Sequence, residues 1–288
     1  MTEETTPQAK NDALEADAVR QYVREAYAQV AENTRPTNST GCCSPAPAAS
    51  LDLGYSKEDL AAVPEGANMG LGCGNPRAIA DLRPGETVLD LGSGGGFDCF
   101  LAAAQVGTEG HVIGVDMTPA MVTKARQNVA TQGLANVDIR LGEIEHLPVA
   151  DASVDVILSN CVINLSPDRA AVFAESYRVL APGGRLAISD VVALQPIPTE
   201  LQAKAMALVG CVAGAATAEQ IKGWLHEAGF ESVKVEIDSA SREFIKNWVP
   251  GSGAEKYVAA AQITAEKAGR VAPPETTSAS PCCATPRG

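Results

Sequence analysis

The sequence predicts an α/β protein built on a doubly wound, mainly parallel sheet. Three observations predict it. Thr87 to Leu91 is a β-branched and leucine run, Gly92, Gly94 and Gly96 follow at once, and Phe97 to Val106 is helix-forming. Strand, glycine loop and helix in that order open such a sheet. Strand-like and helix-like segments then alternate from residue 87 to residue 191, which makes one domain. With 45% hydrophobic residues in 288, the chain can bury a sizeable core.

Each element follows from local pattern. Residues 1–12 are polar, and Ala13 to Glu32 is a charged helix with Val19, Tyr22, Val23, Ala26 and Val30 on one stripe. That helix packs on the core, covers a ligand, or is a plain surface helix. Thr34 to Ser50 is a Pro/Ser/Thr/Ala loop carrying Cys42-Cys43. Ser56 is an N-cap with Asp59 three residues on, an imperfect capping box. The glycines of Gly70-Leu71-Gly72-Cys73-Gly74-Asn75-Pro76 follow no strand, so they serve to bring Cys73 close to another segment, and Pro76 opens a helix. His111 to Val115 is strand two, Pro119 to Thr131 a helix, Val137 to Leu141 strand three and Val154 to Ser159 strand four. Asp168 to Leu180 is a helix, Ala181 to Gly184 a turn and Arg185 to Val191 strand five. Glu200 to Val212 is a helical cap carrying Cys211, and Thr217 with Gln220 caps a helix that Gly229 closes. Glu231 to Ile237 is a strand, Phe244 to Trp248 and Ala254 to Lys267 are expected to be helical, and residues 270–288 form a Pro/Ser/Thr/Ala tail with Cys282-Cys283. The expected divisions are 1–65, an N-terminal helix and cysteine loop; 66–240, the core with its cap; 241–269, a C-terminal extension; and 270–288, a disordered tail.

The loop chemistry narrows the ligand. A dinucleotide fold would place a third glycine where Phe97 stands, and Asp90 just before the loop would repel a phosphate. A sulfonium carrying an amino group suits that acid. Asp116 ends strand two, where an acid suits ribose hydroxyls. The motif Asp90-x-Gly92-x-Gly94-x-Gly96, with "VLAPGGRLAISD", resembles the class I S-adenosylmethionine-dependent methyltransferases, a Rossmann-like fold. The resemblance implies that S-adenosylmethionine contacts Asp90, Gly92, Gly94, Gly96, Asp116, Met117, Glu143, Ile144 and Asn160.

Charge and composition exclude other classes. A net charge of −13 argues against nucleic acid. No apolar run reaches membrane-spanning length, and the polar, acidic start does not read as a signal peptide, so a cytoplasmic protein with reduced thiols is expected. Eight cysteines make no zinc-knuckle pair. Cys99 reads as a small core residue, whereas Cys161 directly follows strand four, at the carboxyl end where ligands sit. The three histidines sit away from the substrate side and read as surface or structural groups. A nucleophile with its own lone pair needs no base, and trivalent arsenic, which is soft and prefers thiolates, is one such. Cys73, Cys161 and Cys211 supply three thiolates from three segments.

"VPEGANMGLGCGNP", "DLGSGGGFDCFLAA", "SNCVINL" and the Cys211 helix resemble arsenite S-adenosylmethionine methyltransferases, from about Tyr55 to Gly251. The resemblance implies catalytic cysteines at Cys43 (or Cys42), Cys73, Cys161 and Cys211. It implies As(III) held by Cys161 and Cys211 with Cys73 assisting, and a Cys73 disulfide with the N-terminal cysteine during the cycle. It also implies arsenic arriving as a thiol adduct and a thioredoxin or glutathione system as reductant; from charge and hydropathy no nucleic-acid or membrane partner is expected, and a monomer is expected. The alternatives are a small-molecule, quinone-type C-methyltransferase with packing cysteines, and a non-catalytic metalloid-binding protein. A redox protein is a weaker third, lacking a C-x-x-C pair.

Overall fold

The computed structural model describes residues 7–32, 49–202, 211–248 and 251–269. Ahead of the sheet lie α1 (Pro7–Ala31), α2 (Ala49–Asp52), α3 (Lys57–Ala62) and α4 (Arg77–Ala80). The core unit follows as β1 (Thr87–Leu91), α5 (Phe97–Val106), β2 (His111–Asp116), α6 (Pro119–Gln132), β3 (Val137–Leu141), β4 (Val154–Asn160), α7 (Arg169–Val179) and β5 (Leu180–Ala193). The chain ends with β6 (Ala216–Thr217), α8 (Ala218–Ala228), β7 (Glu231–Asp238), α9 (Arg242–Ile245) and β8 (Val258–Glu266).

The sheet runs β3-β2-β1-β4-β5-β8-β7, with β6 beside β5. Strands β1 to β5 are parallel, and β8 lies antiparallel between β5 and β7. Strand order reverses between β1 and β4, so a crevice opens beyond their carboxyl ends. Side-chain alternation sorts the strands between two faces. Val88 joins Ala102, Val106 and Val112 under α5, while Leu89 and Leu91 join Phe173, Ile188 and Leu225 under α7 and α8. A third buried cluster sits at the carboxyl end of the sheet and contains Cys73, Cys161, Cys211, Val191, Ile245 and Trp248.

Local signals set the helix ends. Ser56 and Thr217 both make full capping boxes, and Gly229 closes α8 at φ +101°. Two expectations are corrected. Ala254 to Lys267 is not a helix beyond one turn at Ala254–Lys256: Val258–Glu266 is β8. Alanine favours helix in isolation, but the small side chains of Ala259 to Ala261 fit the packed space between β5 and β7. The turn expected at Ala181 to Gly184 belongs to β5, which carries a register shift there with Gly183 at φ +84°. Gly183 donates its N–H to Lys267 across to the end of β8 at 2.9 Å.

The helical cap expected over Glu200 to Val212 lies mostly outside the described residues, as do Cys42, Cys43 and the 270–288 tail. Among the described residues no helix is long and apolar enough to cross a membrane.

Candidate active site

A cleft partly open to solvent lies beyond β1, β2 and β4. Gly92 forms its floor at φ +67°, and a Cβ there would lie 2.5 Å from Val162 Cγ2. Only glycine fits that approach and that backbone conformation. Gly92 and Ser93 both donate N–H bonds to Val115 O, tying the loop to β2. Asp116, at the end of β2, accepts from Gly94 N at 3.0 Å and Thr118 N at 2.8 Å. Its carboxylate lines the cleft, and burial raises its pKa. Met117, Ile144, Asn160, Cys161 and Val162 line the same space. The donor set therefore fits an adenosyl ligand: a glycine floor without side chains, apolar walls and a fixed acid at the ribose position.

Three residues expected at the cofactor stand apart from the cleft. Asp90 alternates onto the α5 face of β1, where it is buried and accepts from Cys99 Sγ at 3.3 Å. Burial and the neighbouring Asp98 hold its carboxyl well above the usual range. Gly96 is the N-cap of α5, with the ring of Phe100 against it. Glu143 turns away to pair with Arg24 and Arg20 of α1, while Glu145 lines the cleft and accepts from Ser166 Oγ at 2.7 Å. The stripe on α1 places Val23 and Tyr27 beside Arg20 along the cleft wall, so this helix covers the site.

Both glycines flanking Cys73 serve close approach. A Cβ on Gly72 would lie 2.8 Å from Asn160 Oδ1, and one on Gly74 would lie 2.9 Å from Ser189 Oγ. Asn160 is the last residue of β4, and Ser189 lies opposite it on β5. Asn160 then stitches the loop down. Its Oδ1 accepts from Cys73 N at 3.0 Å, and its Nδ2 donates to Gly74 O at 2.8 Å and to Tyr55 Oη at 3.0 Å. Tyr55 donates in turn to the buried Asp98 at 2.7 Å. Tyr55 and Asp98 were not legible as site residues; the only signal was that Tyr55 precedes the α3 cap.

Cys161 follows β4 with φ +60°, a left-handed conformation that costs a side chain energy, and its N–H donates to Ser189 O at 2.8 Å. Its thiol lies in hydrogen-bonding reach of both Cys73 and Cys211. Bonding to Cys211 and Cys73, together with burial, raises the Cys161 thiol; burial pushes Cys73 up to about 11. The Cys73 and Cys161 thiols are thus neutral at pH 7, and Cys211 lies beside Cys161 at the same end of the cleft. Among the described residues Cys161 is the one of the three that lines the cleft itself, while Cys73 also faces a second cavity with Ser189 and Phe244. Cys99 is fully buried on the other face of the sheet, as expected of a core residue. Cys43 lies outside the described residues.

A clamp joins the segments bearing Cys161 and Cys211. Asn164 donates to Asp190 Oδ1 at 2.8 Å and Val191 O at 2.6 Å, and its Oδ1 accepts from Ala216 N at 3.2 Å. Arg169 donates to Asn164 O at 3.2 Å and Gly214 O at 2.6 Å. Gly214 fits so closely that a Cβ would lie 2.4 Å from Asn164 O. Asn164 and Arg169 were missed in the sequence because nothing in their spacing reveals the pairing.

Comparison with known proteins adds to this geometry. Residues 82–229 match the family model of a methyltransferase domain. The chain is 50% identical over 282 residues to an arsenite methyltransferase of Halobacterium salinarum, covering 93% of this chain and 72% of that relative. It is 33% identical over 228 residues to the human arsenite methyltransferase, covering 76% of this chain and 60% of that one. A crystal structure of an arsenic(III) S-adenosylmethionine methyltransferase from Chlamydomonas reinhardtii superposes with TM-score 0.55 at 32% identity, over 78% of this chain and 74% of that one.

Proposed function

The chain belongs to the arsenite methyltransferase family, within the class I S-adenosylmethionine-dependent fold, and from that premise we propose how its residues act on trivalent arsenic. Its activity is methyl transfer from S-adenosylmethionine to As(III). The observation that carries the site reading is the convergence of the Cys73, Cys161 and Cys211 thiols beside the glycine-floored cleft.

Bound S-adenosylmethionine supplies an electrophilic sulfonium methyl. Gly92 and Gly94 would admit it, Asp116 would hold its ribose, and Met117, Ile144 and Asn160, which line the same cleft, would border it. Arsenic arrives as a thiol adduct. Each protein thiol passes its proton to a departing small thiol and forms one As–S bond, so the exchange needs no base. Three thiolates from Cys73, Cys161 and Cys211 leave arsenic pyramidal, with its lone pair free. Burial excludes water, and the segments fixed by Asn160 and Asn164 hold the sulfurs in place. The catalytic contribution is proximity and alignment.

Methylation formally oxidises arsenic from trivalent to pentavalent. Two electrons return it to the trivalent state when a thiol pair closes to a disulfide. Cys73 with Cys43 is the pair the reading names, and thioredoxin or glutathione reopens it. A cytoplasmic, monomeric protein suits that reduced state.

The test is turnover. Reduced protein with labelled S-adenosylmethionine, As(III) and excess thiol should yield methylated arsenic, while Cys161→Ser and Cys211→Ser should yield none and still bind the cofactor. Full activity in both variants would reduce the cysteines to packing and favour a base-free small-molecule methyltransferase. Arsenic binding without turnover would favour a metalloid-binding protein.

A further inference from the structure

We propose that Asp190 joins the thiol cluster to make a four-donor site for a thiophilic divalent cation of the zinc and cadmium class. A carboxylate oxygen of Asp190 and the sulfurs of Cys73 and Cys161 all lie within 4.8 Å of one another, and all three residues are buried. Cys211, also buried, bonds to Cys161 but stands outside that group of three, so on this proposal its sulfur closes in when the cation binds. These donors come from the Cys73 loop, the end of β4, β5 and the segment before β6.

The carboxylate is held in a fixed orientation. Its Oδ1 accepts from Val191 N at 2.7 Å and Asn164 Nδ2 at 2.8 Å, and its Oδ2 accepts from Ile163 N at 2.9 Å. A carboxylate has about four lone-pair positions, so three bonds leave one for a ligand. The partly buried Arg169 guanidinium interacts electrostatically with Asp190 and offsets part of the added negative charge.

The two ligand classes use the cluster differently. Trivalent arsenic is complete with three sulfurs and a lone pair, so Asp190 is not needed. A tetrahedral cation wants a fourth donor, and three sulfurs with one oxygen suit zinc or cadmium. Binding of one such cation replaces three thiol protons, which leave to buffer. The cation and arsenic then exclude one another, a consequence that rests on the function proposed above. Cation binding itself does not rest on it.

The experiment uses the full chain carrying Cys42→Ser, Cys43→Ser, Cys282→Ser and Cys283→Ser, which removes the remaining thiol pairs. Zinc alone should bind one ion per chain by calorimetry. Its X-ray absorption should show sulfurs near about 2.3 Å and an oxygen near about 2.0 Å. Asp190→Asn should weaken zinc at least about tenfold, a loss typical of altered ligand shells, and should cost As(III), which takes no oxygen from Asp190, less than it costs zinc. A zinc-induced shift of carboxylate stretches in infrared difference spectra checks the oxygen without touching Asp190. No one-to-one zinc binding, no carboxylate shift, or unchanged zinc affinity in Asp190→Asn overturns the proposal. Zinc binding to that variant, with no arsenic methylation by the unsubstituted chain, refutes the proposed function and leaves this site standing. Methylation with no zinc binding does the reverse.

Discussion

Gly214 gives the sharpest test of the clamp between Cys161 and Cys211. In Gly214→Ala the new Cβ would lie 2.4 Å from Asn164 O and 2.8 Å from Arg169 Nη2, against an ordinary contact of 3.4 Å or more. The segments must part by 3.4 − 2.4 = 1.0 Å to admit it. Arg169 holds both carbonyls, Gly214 at 2.6 Å and Asn164 at 3.2 Å, so at least one charge-assisted bond is lost, about 1.5–3 kcal/mol of stability. The displacement passes to Cys211, three residues away, and pulls its sulfur from Cys161. A misplacement of about 1 Å costs on the order of a hundredfold in rate. Gly214 does not line the cofactor cleft, so S-adenosylmethionine affinity should stay within about twofold of the parent, roughly 0.4 kcal/mol. The assay pairs arsenic methylation at saturating cofactor with calorimetry of cofactor binding. Parental turnover in a folded Gly214→Ala protein would refute the idea that this clamp sets the sulfur geometry.

Three further outcomes are expected. Asp116→Ala should weaken S-adenosylmethionine binding by about 1–3 kcal/mol, since it removes a cleft acid and frees the N–H groups of Gly94 and Thr118; unchanged affinity by calorimetry would contradict it. Tyr55→Phe leaves Asp98 Oδ1 without its Tyr55 donor and should cost about 1–3 kcal/mol in denaturant unfolding, with faster alkylation of Cys73. Because the free thiols of Cys73 and Cys161 are raised and stay protonated through pH 6 to 8, arsenous acid hydroxides should leave as water with thiol protons. Arsenic affinity should then be flat across that window. Calorimetry in buffers of different ionisation enthalpy should register no net proton release, and an affinity rising steeply with pH would show thiols that ionise on their own.

Much of this was legible in residue order. The strands from β1 to β4 and α5 were readable because β-branched runs and alanine-rich apolar spacing agree with the fold that forms. The thiol convergence was readable in outline, since Cys161 ends a strand and the glycines around Cys73 have no strand before them. β8 was not readable: Ala259 to Ala261 and Glu266 favour helix locally, and only the gap between β5 and β7 makes them a strand. Asp90 looked exposed to the ligand because it precedes the glycine loop, yet strand alternation turns it beneath α5. Asp190 stood within a readable strand, but its nearness to Cys73 and Cys161 depends on a loop folding back from more than a hundred residues earlier. The α1 ion pairs to Glu143 and Glu145 are likewise long-range and leave no local trace.

The central claim is that three sulfurs from separate segments hold trivalent arsenic. Arsenic X-ray absorption on the As(III)-loaded chain, with Cys42, Cys43, Cys282 and Cys283 changed to serine, tests it most directly. The account predicts three sulfurs and no oxygen around arsenic in that protein, and fewer sulfurs after Cys73→Ser, Cys161→Ser or Cys211→Ser. An oxygen-dominated shell, or a sulfur count unchanged in those three variants, would contradict it.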